Sequence, residues 1–244
     1  MTAERVGLAH LRSVVPPKED QAHIWFCSLG DFTSDRFRIL LSPIEQDQAG
    51  RFASAGARDR FIVGRGMLRS LLGAYLSLAP SEVDIAIEPS GKPRLAAKLG
   101  RRALSFNLAH SGDGVLLGFT SGGEIGVDIE HHRQVSHWQA IAERHYSCRE
   151  LAMLRSVGGE EQREMFFRIW TRKEAVLKWL GTGLQVPLSE VDVPTACGDQ
   201  AWVALPRAGQ RCWVQPVDAP VGYSAALATS QRTTHLVQRQ LVPQ

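Results

Sequence analysis

The sequence predicts an α+β protein built as two similar α+β halves in one chain, related by a pseudo-twofold, with the active site in the cleft between them. Three observations point there. Apolar stretches of strand length alternate with longer segments of helical periodicity. The order strand, helices, strands occurs twice. Ser121-Gly122-Gly123 punctuates the chain between the two occurrences, which sets the halves at 1–122 and 123–244.

In the first half, HIWFCSL at 23 to 29 reads as a buried strand that ends at Gly30-Asp31. Ser42-Pro43-Ile44-Glu45 has the form of a capping box with proline at the first helical position, so a helix starts there and runs to about Ala55. A long amphipathic helix begins near Arg58. Its apolar residues Phe61, Leu68, Leu72 and Leu76 recur at helical spacing, with Arg58, Arg65 and Arg69 on other faces. Strands follow at 83 to 87, 104 to 110 and 114 to 121. The second half repeats the order with IGVDIE at 125 to 130, helices from about 136 to 181, and short strands near 201 to 205, 211 to 216 and 223 to 229. One stretch of sequence echoes another, GVLLGFTS against GYSAALATS, too briefly to establish a duplication.

Composition narrows the function classes. The 244 residues suffice for a substantial core, and 44% hydrophobic with 22% charged residues is ordinary globular usage without an apolar run of bilayer length. The segment before Pro16 lacks the continuous apolar core of a secretory signal, so a cytoplasmic protein is expected. Cys27, Cys148, Cys197 and Cys212 lie too far apart for a zinc set or a disulfide framework. A formal charge of +3 does not argue for nucleic acid. Neither nucleic acid nor a membrane is expected as a partner, and a cleft within one chain suits a monomer.

Alternation in GVDIE sends Val127 and Ile129 to one face and Asp128 with Glu130 to the other. Two carboxylates side by side suit magnesium, a hard cation; they also suit a solvated acidic strand face. In FFRIWTRKEAVLKWLGTGL, Phe166, Trp170, Leu177 and Leu180 fall within about 80° of one another and form the buried stripe. Glu174 and Lys178 share its flank, a chemical pair or a surface pair of acid-first i, i+4 spacing. Lys173 falls inside the stripe, where an ammonium needs a buried acidic partner or an anion unless it snorkels out. Ser90-Gly91-Lys92-Pro93 is a turn presenting a lysine, and Asn107 to Gly112 ends a strand with polar groups, His110 among them.

Taken in order, Gly91-Lys92-Pro93, Asn107 to Ser111, GVDIE at 126 to 130 and WTRKEAVLK at 170 to 178 resemble the Sfp-type 4'-phosphopantetheinyl transferases, over residues 42 to 184. The resemblance implies two α+β halves with coenzyme A as substrate in the cleft and a magnesium ion as cofactor. It implies transfer of 4'-phosphopantetheine to a serine of an acyl or peptidyl carrier protein, with release of 3',5'-ADP. Asp128, Glu130 and Glu174 would hold magnesium, Glu174 would also take the serine proton, and Lys178 would stabilise the leaving 3',5'-ADP. Arg60, Lys92, His110 and Lys178 would contact coenzyme A, Arg60 meeting the 3'-phosphate. Glu45 and Gln48 stand where some relatives carry lysines, and Ala109 where a serine is common. The rival readings are a coenzyme A-binding or carrier-binding protein without turnover and a different magnesium-dependent phosphotransferase.

Overall fold

The computed structural model describes residues 3–96, 104–181 and 186–243. In the first half β1 (Glu4–Gly7) and β2 (Gln21–Ser28) precede the helices α1 (Ser34–Arg38), α2 (Pro43–Gly50) and α3 (Ala55–Leu76). The strands β3 (Ile85–Ile87), β4 (Pro93–Leu95), β5 (Ser105–Ser111) and β6 (Gly114–Thr120) complete it. In the second half β7 (Ile125–His131) leads into α4 (Trp138–His145), α5 (Cys148–Arg155) and α6 (Gly159–Leu180). The chain closes with β8 (Ala201–Leu205), β9 (Gln210–Val217), β10 (Tyr223–Thr229) and β11 (His235–Val242). No helix among these residues is long and apolar enough to cross a membrane.

The expected capping box starts α2: Ser42 Oγ accepts from Glu45 N, and the Glu45 carboxylate accepts from Ser42 N. That helix stops at Gly50, earlier than the sequence predicted. Ser54 then caps α3, which begins before Arg58 and runs for 22 residues, the length of its counterpart α6. The two halves share a strand plan. β2, β6 and β5 lie side by side and antiparallel, as do β7, β10 and β9. GVLLGFTS falls on β6 and GYSAALATS on β10, the middle strand of each triplet, so the brief sequence echo sits at equivalent positions.

Each half packs its long helix on its sheet around its own apolar core. A third apolar cluster joins them, with Ile24 and Leu116 from the first half against Val127, Ile129 and Leu227 from the second. Three strands were not foreseen, the short β1 and β4 and the longer β11. β11 returns to the first half and lies parallel between β1 and β2. Its sequence, HLVQRQLV, is mostly half-buried, so it carries neither the apolar run nor the clean alternation by which strands are read.

The stripe of α6 contains the predicted Lys173, fully buried, and the structure supplies the acidic partner. Lys173 Nζ lies 2.7 Å from Glu150, itself fully buried, and donates to the carbonyls of Leu188 and Val191. Glu150 also accepts from the backbone N–H groups of Ser147 and Val193. Burial pushes the lysine pKa down and Glu150 opposes that shift. The pair is thus fully hydrogen-bonded, the condition under which buried charges are tolerated. Lys173→Met would strand Glu150 without its counter-charge. It should lower stability by about 3–5 kcal/mol, read by urea denaturation, and Lys173→Met/Glu150→Gln should recover part of the loss. A Lys173→Met protein as stable as the parent would refute this assignment.

Candidate active site

The site begins with a glycine. β7 crosses α6 so closely that a Cβ on Gly126 would lie 2.1 Å from the carbonyl oxygen of Ala175 and 2.2 Å from the amide nitrogen of Trp179. Backbone therefore packs on backbone at this point. Two residues along β7 comes Asp128, and on α6 Glu174 precedes Ala175 and Lys178 precedes Trp179, so the contact brings the two motifs together. Lys178 Nζ bonds Asp128 Oδ1 at 2.6 Å. It does not act as a mere surface partner of Glu174. Val127 and Ile129 enter the core as expected, but Asp128 is only 4% exposed, which rules out a solvated acidic face.

Burial pushes the Asp128 carboxyl up to about 7; Lys178 works against this, and Glu130 and Glu174 add to it. Glu174 is likewise raised by burial, with Lys178 opposing and Glu130 reinforcing. The three carboxylates are thus close enough to feel one another. Asp128 Oδ2 is buried without a hydrogen-bond partner. Glu130 is held in place: its Oε2 accepts from Ser111 Oγ at 2.7 Å and from Arg133 at 3.2 Å.

The first half meets β7 along a seam. β5, the edge strand of its sheet, presents Asn107 Oδ1 to the N–H of Val127 at 3.0 Å and Ser111 Oγ to the N–H of His131 at 3.1 Å. Ala109, between them on the same face, is buried in the apolar cluster that joins the halves. Two side chains thus do the work of a backbone ladder. The opposite face of β5 carries Leu108 and His110 into the cleft.

That cleft has two adjacent parts. One recess includes Arg60, Phe61, Leu108 and His110. The other includes Lys92, Leu108, Glu174 and Lys178. Pro93 and Leu108 line both. Burial lowers the His110 pKa, and the charges of Lys178 and Arg60 lower it further, so these three groups from both halves cluster together. An imidazole and a guanidinium in one recess, with an ammonium in the next, have the chemistry to receive an anion.

The remaining sequence candidates are placed as follows. Lys92 lies on the cleft wall, but its ammonium is buried and bonded to Glu124 and to main-chain carbonyls. Glu45 is buried and bonds Arg69 at 2.5 Å, with Arg65 at 3.4 Å, so its place in α2 is structural. In the motif WTRKE, Arg172 and Lys173 hold the fold: Arg172 donates to the carbonyls of Pro194, Ala196 and Asp199. Sequence reasoning missed Ser111 and Arg133 as supports of Glu130, and Asn107 as a support of β7. Polar side chains at 107 and 111, two turns of alternation apart on one strand face, were the available signal.

Among the described residues no three His, Cys, Asp or Glu side chains are already gathered closely enough to hold a metal ion. Lys178 takes one oxygen of Asp128 instead. The donor set nevertheless fits a hard divalent cation: only carboxylates, mutually repelling, one with a buried oxygen left without a partner.

Comparison with known proteins gives a consistent result. A model of the 4'-phosphopantetheinyl transferase superfamily matches residues 124–228, and a model of the 4'-phosphopantetheinyl transferase N-terminal region matches residues 23–121. The chain is 37% identical over 177 residues to the 4'-phosphopantetheinyl transferase HetI of Nostoc sp., covering 71% of this chain and 74% of that protein. It is 28% identical over 197 residues to the 4'-phosphopantetheinyl transferase Sfp of Bacillus subtilis, covering 81% and 85%. It is 40% identical over 124 residues to the 4'-phosphopantetheinyl transferase AcpT of Escherichia coli, covering 51% and 58%.

Gly126→Ala tests the contact on which this geometry stands. The methyl group meets backbone, which cannot rotate away, so β7 and α6 must separate. Stability should fall by about 1–3 kcal/mol in thermal unfolding. Gly64, whose Cβ would meet nothing within 4 Å, supplies the control: Gly64→Ala should cost little or nothing. Equal effects of the two substitutions would contradict the close approach.

Proposed function

The chain belongs to the 4'-phosphopantetheinyl transferase family, and from that premise we propose that the cleft moves the 4'-phosphopantetheine arm of coenzyme A to a serine of an acyl or peptidyl carrier protein. One observation supports this reading above the others. Arg60 and His110 line one recess of the cleft, and Lys178 and Glu174 line the neighbouring one beside Asp128, so cations suited to phosphates lie next to carboxylates suited to a metal ion. The halves divide the labour, with nucleotide contacts in residues 1–122 and the carboxylates and chemistry in 123–244. A site formed within one chain works as a monomer.

In this reading Arg60 meets the 3'-phosphate of coenzyme A, where a guanidinium bonds two oxygens at once. His110 and Lys178 face the phosphates next along the cleft. Asp128, Glu130 and Glu174 hold a magnesium ion, which when bound supplies charge neutralisation at the pyrophosphate. The serine hydroxyl oxygen attacks the phosphorus that bears the pantetheine arm. Its proton passes to Glu174, the carboxylate that α6 brings to the cleft beside Lys178. The bond from that phosphorus to the oxygen of the nucleotide's 5'-phosphate breaks, and the electron pair leaves on 3',5'-ADP. Lys178, held beside that oxygen by Asp128, stabilises the charge that develops there.

The test is intact-mass analysis of an apo carrier protein after incubation with this protein, coenzyme A and magnesium. The carrier should gain one phosphopantetheine, a chelator should prevent the gain and added magnesium should restore it. Glu174→Gln should lower the single-turnover rate by about 10² to 10⁴ with little change in melting temperature. No mass gain would favour a protein that binds coenzyme A without turnover; a Glu174→Gln rate near the parent's would remove the base assignment.

A further inference from the structure

Lys92 is poorly placed to be a free cation for a ligand. It is 8% exposed, and its Nζ has four oxygen acceptors within hydrogen-bond reach: the carbonyls of Lys178 at 2.7 Å, Ile125 at 3.1 Å and Trp179 at 3.4 Å, and Glu124 Oε2 at 3.2 Å. An ammonium has three protons to donate, so these acceptors exhaust it. Glu124 is in turn held by Arg94 at 2.6 Å, and Arg94 by Glu88 at 2.6 Å. Burial alone would raise the Glu124 carboxyl, yet Arg94 and Lys92 bring it below its ordinary value, so it stays charged beside the lysine.

The acceptors have a structural meaning. Gly181 caps α6, its left-handed conformation returning its N–H to the carbonyl of Leu177, so the carbonyls of the last turn stand at the helix end. Two of those, on Lys178 and Trp179, receive the Lys92 ammonium, which also answers the negative end of the helix dipole. Ile125 is the first residue of β7. Three segments thus converge on one charge: the turn before β4 in the first half, the start of the strand that carries Asp128, and the end of the helix that carries Glu174 and Lys178.

We infer that Lys92 is a positioning residue for the reaction, a clamp from the first half that fixes the backbone of Lys178 while Asp128 fixes its side chain. Lys178 is gripped at both ends, and releasing the backbone end lets its ammonium drift from the oxygen it must stabilise. This rests on the transferase reading above and departs from the phosphate contact that the family resemblance implies for Lys92.

Single-turnover transfer to an apo carrier, with coenzyme A varied, separates the possibilities. Lys92→Met keeps the side chain's length without its donors and should lower the rate at saturating coenzyme A by about 10- to 100-fold, as expected for a displaced catalytic group. The coenzyme A concentration giving half-maximal rate should change less than about threefold. In a Lys178→Ala background the same substitution should add little, because the group being positioned is already gone. Lys92→Gln, which retains two donors on a shorter arm, should be milder in the same direction and serves if the Met variant folds poorly. Amide hydrogen exchange should rise in the last turn of α6 and not in α3.

Other outcomes overturn the inference. A weakened coenzyme A requirement with the saturating rate intact would make Lys92 a phosphate contact. A lower melting temperature with an unchanged rate per folded molecule would make it a fold residue only. Full additivity with Lys178→Ala would break the link between the two lysines. Should the parent protein itself fail to modify the carrier, the transferase reading fails; unaltered exchange at the end of α6 counts separately against the clamp.

Discussion

Where β7 crosses α6 the main chain of Gly126 lies against the main chain of Ala175 and Trp179, and that contact brings Asp128 to Glu174 and Lys178. A side chain at 126 would hold strand and helix apart. With none there, Asp128 comes within 2.6 Å of the Lys178 ammonium, and Glu174 comes close enough to add to the upward shift of the Asp128 carboxyl. The Gly in GVDIE is therefore as much part of the site as the two acids that follow it.

The same region shows how the fold accommodates buried charge. Of the cations along α6, Arg172 and Lys173 face inward and are satisfied by carbonyls and by Glu150, whereas Lys178 stands at the cleft. Lys92 satisfies the end of the helix from the other half. Asp128 is the exception, with one oxygen bonded and one left alone in the interior. An unsatisfied buried carboxylate oxygen is costly in a folded protein, and such groups concentrate where a ligand completes the set. The seam between β5 and β7 supports the arrangement, because Asn107 and Ser111 bond the main chain of the strand that carries Asp128 and Glu130 rather than leaving it to float at the edge of its sheet.

Much of this was legible in the sequence. The two-half plan, both long helices and the strands flanking the cleft follow from periodicity and turn residues, and the burial of Lys173 against an acid follows from its position in the apolar stripe of α6. What stayed hidden was set by contacts distant in sequence. β11 is a strand because β1 and β2 leave a gap for it, not because of its own pattern. The Glu174 and Lys178 spacing suggested a helix-surface pair, while the real partner of the lysine lies on another element, at Asp128. Lys92, in a turn of the kind that commonly holds a solvated lysine, is buried because the end of α6 arrives over it. Local pattern reports which face of an element is apolar; it does not report which orphan carbonyl the next domain half will bring.

In the proposed function Asp128 and its neighbouring carboxylates hold a divalent cation against the pyrophosphate of coenzyme A. Manganese in place of magnesium makes this measurable as paramagnetic relaxation of the coenzyme A ³¹P resonances, without any turnover. The parent protein should enhance pyrophosphate relaxation well beyond manganese and coenzyme A alone, and Asp128→Asn, correctly folded, should lose that enhancement. An Asp128→Asn protein that relaxes the pyrophosphate as strongly as the parent would contradict the claim.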